Sequence, residues 1–291
     1  MARFALRNAG GFRFLTLQGY FIVRQRQMPD GDTLSFAAAK AFRPRLVKTN
    51  IEVLSADAVL RNIRLQSIDA PEKSQPWGAR SRDNLLAWFG FDPAELGLSD
   101  EDFSANGEPK KIAGWIATHG MDGRQRPLGY LFRKNPGFSH GNEIPAAKIA
   151  PVLKRSANYH QVTRGAAYPA FYENTDEEHA VTFQKAAQKL RASGKGLWAE
   201  DRTTTGFVPT KTALGHGGAL IYPKFYRRVE DWKTEKPSAA AFLTWLKAQS
   251  DGKKLVLGAE RDAIPLWKLF QKVSRTKVAV PYDVSKLWFS E

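Results

Sequence analysis

The sequence of 291 residues has no cysteine and only three methionines, and it contains no long apolar run. Without cysteine, the chain can form neither a disulfide nor a thiolate metal site. Residues 1–11 mix arginines with small residues, and residues 12–23 alternate apolar with polar side chains. We therefore predict no signal peptide and no transmembrane span. These features favour a cytoplasmic protein over a secreted one, although a chain whose leader has been removed would fit equally well.

Histidine is also scarce, and the five histidines share no spacing that is typical of metal ligands. This argues against a zinc centre and against a histidine-based nuclease site. We interpret each of them as a surface or loop residue: His119, His140, His160, His179 and His216.

Positive charge, by contrast, is abundant. The net charge is +15 at pH 7, and such an excess favours a polyanionic partner, with nucleic acid first among the candidates. On charge alone, a membrane surface or a ribosome-like assembly fits as well. Residues 203–291 hold fifteen basic and eight acidic residues, so this part is the more basic one per residue and suits an auxiliary contact with nucleic acid.

An arginine and two carboxylates surround the end of a predicted strand. Arg64 lies in an alternating segment, Asp69 follows at its end, Pro71 interrupts it and Glu72 comes next. Two oxygen donors beside a guanidinium suit a cation together with a phosphate ester. Surface charges around a turn explain the same residues equally well when this stretch is considered alone.

Several motifs, in a fixed order, carry a resemblance to a known family. The segment from Arg64-Leu65 to Ile68-Asp69-Ala70-Pro71-Glu72 precedes Gln75-Pro76-Trp77-Gly78, and Asp30-Gly31-Asp32-Thr33 lies upstream. Together they resemble the staphylococcal nuclease-like (thermonuclease) family. The resemblance covers residues 1–201 and leaves residues 202–291 outside it.

The resemblance implies an α+β, mainly β fold for residues 1–201, namely a five-stranded OB-type barrel that carries helices. Alternating segments that predict five strands in the first 170 residues agree with this. For residues 202–291 we predict a small, basic α/β extension of unknown role, with helices at 239–249 and 264–273 and strands at 254–257 and 277–280. Residues 203–206 and 215–218 have the composition of linkers or flexible loops.

The resemblance also implies a set of site residues. Asp32 and Asp69, with the carbonyl of Ala70, would hold one Ca²⁺ ion. Glu72 would orient or deprotonate the attacking water. The catalytic arginines that grip the phosphate would be Arg64 and Arg126.

The segment from Asp122 to Tyr130 departs from the family pattern D-x-Y-G-R-x-L. The expected tyrosine and glycine are replaced by Arg124 and Gln125, while Arg126 keeps the position of the catalytic arginine. Arg124 is therefore a rival, which we interpret as a substrate-binding residue.

Residues 158–168 resemble another family segment, with Gln161 where leucine is usual. We interpret Asn158 as a structural hydrogen-bonding residue. Tyr168 is a candidate for substrate binding, either by stacking on a base or by contacting a phosphate, and a tyrosine of the hydrophobic core is an equally good interpretation.

These features predict a Ca²⁺-dependent nuclease that hydrolyses phosphodiester bonds of DNA and/or RNA with low sequence specificity. All five expected catalytic positions hold the expected residue types, which favours an enzyme. The alternative is a catalytically weak or inactive nuclease-like module that binds nucleic acid or a protein. The C-terminal extension could also dock the chain to a protein partner, and we predict no membrane partner.

Overall fold

The computed structural model describes residues 11–39, 61–257 and 263–290. The extra hairpin or flap predicted between Thr33 and Arg64 lies mostly outside the described residues. No helix of the described part is long and apolar enough to cross a membrane.

Nine strands form among the described residues up to residue 172. They are β1 Arg13–Val23, β2 Thr33–Ala38, β3 Arg61–Leu65, β4 Ile68–Asp69, β5 Lys110–Met121, β6 Pro127–Phe132, β7 Asn142–Pro145, β8 Tyr168–Pro169 and β9 Phe171–Tyr172. Five of them close a ring, because β1 pairs with β2 and β5, β2 pairs with β3, and β6 joins β3 to β5. The β3–β6 pair is parallel and the other four are antiparallel, and β7 extends the sheet beside β1. The mixed α+β class is confirmed, with the strand ring at its centre.

Eight α-helices accompany the strands in the described ranges: α1 Gly78–Phe89, α2 Ala146–Ile149, α3 Ala157–Thr163, α4 Glu177–Ala192, α5 Lys211–Leu214, α6 Pro223–Trp232, α7 Ala239–Ala248 and α8 Ser250–Lys253. The apolar spacing predicts a helix at 79–89 that stops at Gly90, and α1 ends there, where a φ of +96° favours glycine. Thr175-Asp176-Glu177-Glu178 predicts a capping box with Thr175 at the N-cap, and α4 begins one residue later. Its N-cap is Asp176, whose side chain accepts hydrogen bonds from the N–H groups of Glu178 and His179.

The interpretation of the histidines as surface or loop residues is wrong for two of them. His119 and His179 are buried. The Nε2 of His179 donates to the carbonyl of Ala146 at 3.0 Å, so its Nδ1 accepts from the hydroxyl of Tyr130 at 3.1 Å. His179 is therefore a neutral, fully bonded residue of the core.

The C-terminal region contains five short strands: β10 Leu255–Leu257, β11 Ala263–Pro265, β12 Gln271–Lys272, β13 Val278–Ala279 and β14 Trp288–Phe289. The predicted helix at 239–249 and the strands at 254–257 and 277–280 are confirmed. The helix predicted at 264–273 is wrong, because this segment forms β11, a short 3-10 turn and β12. Pairing of Ile264 with Val256 overrides the local helical pattern.

The C-terminal region shares its core with the N-terminal one. Strand β14 pairs in parallel with β9, and the ring of Phe289 packs on those of Tyr172 and Tyr222. Thr203, in a predicted linker, is buried and its hydroxyl accepts a hydrogen bond from the N–H of Tyr222 at 2.8 Å. The domain boundary at residues 201/202 stays a prediction, but the two regions lie in direct contact.

Candidate functional site

A cavity of about 280 Å³ lies where four parts of the chain meet: the β1–β2 connection, the segment that follows β3, the β5–β6 turn and helix α6. Of the eight predicted site residues, seven line it: Asp32, Arg64, Asp69, Ala70, Glu72, Arg124 and Arg126. Asp32 and Arg126, which are 94 positions apart in sequence, thus share one polar surface. The grouping predicted from the motifs is present.

Tyr168 is the exception. Its side chain is fully buried, and its hydroxyl donates to Asp201 Oδ1 at 3.1 Å. Burial leaves no face of the ring free to stack on a base. The interpretation as a core tyrosine is the one that the structure supports, and the substrate-binding interpretation of Tyr168 is wrong.

The position of Asp32 depends on two close contacts of the loop before β2. A Cβ on Gly31 would lie 1.9 Å from Ser81 Oγ, so only glycine lets this loop approach α1. Gln161, which stands in place of the usual leucine, donates from Nε2 to the carbonyl of Gly31 at 2.7 Å. Oδ2 of Asp32 then accepts the N–H of Ala70 at 2.7 Å.

The step from β3 to β4 places Arg64 and Asp69 side by side. Ser67 turns the chain with φ of +66°, and its hydroxyl is 3.0 Å from that of Tyr130. Asn158 adds two hydrogen bonds of 2.9 Å from its amide to the carbonyls of Gln66 and Gly129. Asn158 is therefore structural, as predicted, since it fixes the turn behind the site.

Arg64 bridges the two carboxylates that were predicted to bind metal. Its guanidinium forms ion pairs with Asp32 and with Asp69 Oδ1, the latter at 2.7 Å. The Arg64 side chain is only 12% exposed, and that of Asp69 only 1%. Arg64 is thus held inside the cluster instead of projecting into the cavity.

A second arginine, which the sequence analysis missed, completes the cluster from α6. Arg227 Nη2 lies 2.9 Å from Asp69 Oδ2, and its Nη1 lies 3.3 Å from Asp69 Oδ1 and 2.5 Å from Glu72 Oε1. Asp69 therefore lies between the guanidinium groups of Arg64 and Arg227, and Glu72 also pairs with Arg227.

Helix α6 is fastened to the same motif that carries Glu72. Gln75 accepts the N–H of Glu72 at 3.0 Å through Oε1 and donates from Nε2 to the carbonyl of Ile221 at 2.9 Å. The hydroxyls of Ser74 and Tyr226 lie 2.8 Å apart. One glutamine thus orients the Glu72 loop and anchors Ile221, which lies two residues before α6.

The surroundings shift the pKa values of Asp69 and Glu72 in opposite directions. Burial by itself raises the pKa of Asp69, but the charges of Arg227 and Arg64 outweigh it and hold that pKa below its ordinary value. Burial raises the pKa of Glu72, opposed by Arg227 and assisted by the charge of Asp69. Asp69 stays ionised, whereas Glu72 takes up a proton more readily than an exposed glutamate.

The β5–β6 turn presents the two competing arginines in different ways. Oδ1 of Asp122 accepts the N–H groups of Arg124 and Arg126, and the Arg126 side chain pairs with Asp122 Oδ2 at 2.7 Å. Gln125 has φ of +59°, the left-handed conformation for which glycine is usual. The turn keeps this conformation without the glycine, so Arg126 is fixed by the register of β6 while the Arg124 side chain is exposed.

Lys224 is a second group that the sequence analysis missed. It lines the cavity one helical turn before Arg227, with Nζ above the rings of Tyr172 and Phe289 at 4.8 and 4.7 Å. Among the described residues no carboxylate pairs with it. An ammonium group without a counter-ion, facing a cavity, is suited to bind an anion.

The sequence did contain a signal for α6, because Pro223 suits the first helical position and Phe225, Tyr226 and Val229 have helical spacing. Nothing local indicated that its charged face would lie against Asp69. That placement depends on contacts between residues about 150 positions apart.

The carboxylates predicted to bind Ca²⁺ are already engaged by other groups of the protein. Both oxygens of Asp69, Oε1 of Glu72 and Oδ2 of Asp32 are occupied by guanidinium or backbone N–H groups. No group of three or more acidic or histidine side chains in the described ranges is arranged to hold a metal ion. The arrangement does not fit a calcium ion, because carboxylate oxygens are its main protein ligands and those predicted here are already paired with cationic or N–H groups. The calcium requirement stays a prediction.

Comparison of the chain with protein-family models and with curated proteins gives no match. The resemblance to the staphylococcal nuclease-like family therefore rests on the motifs and on the cavity that they share.

Lys224 gives the site a pH dependence that can be measured. Burial and the charge of Arg227 lower the pKa of Lys224 to about 7, so its positive charge is lost as the pH rises through this value. We expect the affinity for sulfate, whose own charge is constant, to fall about tenfold between pH 6 and pH 9. Isothermal titration calorimetry measures this directly.

The matched control is Lys224→Arg, which stays charged throughout this range. It should reduce the decrease to the part contributed by Asp30, a carboxyl of the same cavity whose pKa burial raises to about 7. Lys224→Met should bind sulfate weakly at both pH values. An identical pH profile for the wild type and Lys224→Arg would show that Lys224 does not bind the anion.

Proposed function

We propose that this chain is a nuclease that hydrolyses phosphodiester bonds of DNA or RNA with low sequence specificity, as in the staphylococcal nuclease-like family. The observation that carries the proposal is the meeting of Glu72, Arg126, Arg124 and Lys224 in one cavity. A carboxylate that can accept a proton beside several cations suits hydrolysis of a phosphate ester. The closed ring of five strands is consistent with an OB-type barrel, which commonly binds nucleic acid.

In the proposed reaction, Arg126, Arg124 and Lys224 bind the non-bridging oxygens of the phosphate. Glu72 accepts the proton of the attacking water through the carboxylate oxygen that Arg227 does not occupy, because only Oε1 is paired. Arg64 keeps Asp32 and Asp69 in place and acts on the substrate indirectly. The net charge of +15 attracts the polyanion to the surface and makes its binding sensitive to salt.

A second candidate is a module that binds nucleic acid or a protein without cleaving it. The pairing of Asp69 and Glu72 with Arg227 favours this candidate, since it withdraws two carboxylates from a metal. The two candidates differ in one observable, which is the release of products from a bound polynucleotide.

Cleavage is the direct test of the proposal. Labelled single- and double-stranded DNA and RNA should be digested by the purified chain, and Glu72→Gln should lower the rate by about 10²–10⁴-fold, because it removes the proton acceptor while preserving shape. Gel electrophoresis of the labelled products measures the digestion of each substrate by the wild type and the cleavage rate of Glu72→Gln. Binding without cleavage would support the second candidate, and cleavage by Glu72→Gln at the wild-type rate would show that Glu72 is not the base.

Substitutions of the two arginines of the β5–β6 turn should affect different kinetic parameters. Arg126 is fixed by strand register and by Asp122, so it can act as a preorganised donor to the transition state. Arg126→Ala should lower kcat by about 10²–10³-fold. Arg124→Ala should mainly raise KM, because the Arg124 side chain is exposed and free.

Steady-state kinetics on a short labelled oligonucleotide gives kcat and KM separately, with each variant serving as the control for the other. A loss of kcat in Arg124→Ala with retention in Arg126→Ala would reverse the assignment.

A further inference from the structure

We infer that Arg227 supplies, between Asp69 and Glu72, the positive charge that a divalent cation would provide there, so that the site binds its phosphodiester without a resident metal ion. The inference rests on the proposed function for the identity of the substrate, and it concerns the requirement for metal at the same site.

The first argument is the geometry of Arg227. One guanidinium contacts both oxygens of Asp69 and one oxygen of Glu72, at distances from 2.5 to 3.3 Å. The Asp69 oxygens are among the ligands predicted for a cation, and Glu72 is the second carboxylate of the same motif. A guanidinium with two donor nitrogens directed at two carboxylates occupies the same place with fixed, planar geometry.

Arg227 is anchored through its helix. It lies in the middle of α6, whose Phe225 and Tyr226 are fully buried in the shared core, as is Tyr222 just before the helix. Gln75 and Ser74 bond this part of the chain to the Glu72 loop. A loop movement alone therefore cannot carry the backbone of Arg227 away from the carboxylates.

The balance of charge points the same way. Asp32, Asp69 and Glu72 would together repel a phosphodiester, but Arg64 and Arg227 neutralise two of the three charges. Lys224 and Arg124 then present further positive charge to the cavity, while Arg126 offsets the carboxylate of Asp122, with which it pairs. A divalent cation entering this cluster would have to displace Arg227 from the buried carboxylate of Asp69 and from the partly exposed carboxylate of Glu72, which opposes metal binding.

The test is calcium binding by the full-length chain, measured by isothermal titration calorimetry after dialysis against a chelator. The wild type should give no saturable binding, whereas Arg227→Met should gain a site with a Kd at or below about 1 mM. Adding Asp69→Asn to Arg227→Met should abolish the gained site. The matched control is Arg228→Met, because Arg228 is the next residue of the same helix but pairs with Asp231 and Asp251 outside the cavity. Arg228→Met should behave as the wild type.

Arg227→Gln is the second variant, since it removes the charge but can still donate to Asp69, and thermal unfolding verifies that each variant is folded. Saturable Ca²⁺ binding by the wild type that Asp69→Asn removes would overturn the inference. Folded Arg227 variants that bind no better than the wild type would overturn it as well. If neither variant folds, the wild-type titration decides.

The cleavage assay separates this inference from the proposed function. Wild-type cleavage at the same rate in chelator and in Ca²⁺ supports both the proposed function and the inference about Arg227. A chain that cleaves nothing under either condition contradicts the proposed function, while the calorimetry still decides whether Arg227 stands in the place of the metal. Cleavage that strictly requires Ca²⁺ supports the function and overturns the inference.

Discussion

A carboxylate removed from water must be paired, and Asp69, whose side chain is 1% exposed, is paired twice. Arg64 reaches it from the neighbouring strand β3, and Arg227 reaches it from α6 at the other end of the chain. Each guanidinium also contacts a second carboxylate, on Asp32 and Glu72 respectively. The positions of the other groups around the cavity follow from this chain of charges, because moving any member leaves a carboxylate of the cluster with one partner fewer.

This constraint connects the two regions of the molecule. Helix α6 can place Arg227 beside Asp69 only while its aromatic residues remain in the shared core and Gln75 bonds to Ile221. The C-terminal region is in this view part of the site, in addition to any contact that its basic surface makes with a polyanion. In the proposed nuclease, the chemistry depends on Glu72 and Arg126, while the paired arginines set the charge against which the phosphate binds.

The sequence predicted much of the first region, because there the site residues follow strand ends and turns closely. The resemblance of their motifs to the staphylococcal nuclease-like family pointed to Asp32, Arg64, Asp69 and Arg126, and the structure brings these residues to one cavity. Arg227 was missed, because its role depends on tertiary contact with Asp69, which no local pattern encodes. The helix predicted at 264–273 was wrong for the same reason, since sheet pairing determined its conformation. Tyr168 has the residue type of a base-stacking group, and only its burial identifies it as core.

Asp69 and Arg227 hold the two regions together as a directly coupled pair. A double-mutant cycle measures this coupling through the free energies of unfolding of the wild type, Asp69→Asn, Arg227→Met and the double variant, by urea denaturation. A direct contact predicts a coupling energy of at least about 1 kcal/mol, with the double variant more stable than the sum of the two losses implies. Strictly additive losses would show that Asp69 and Arg227 do not interact, and the account of the site would be wrong.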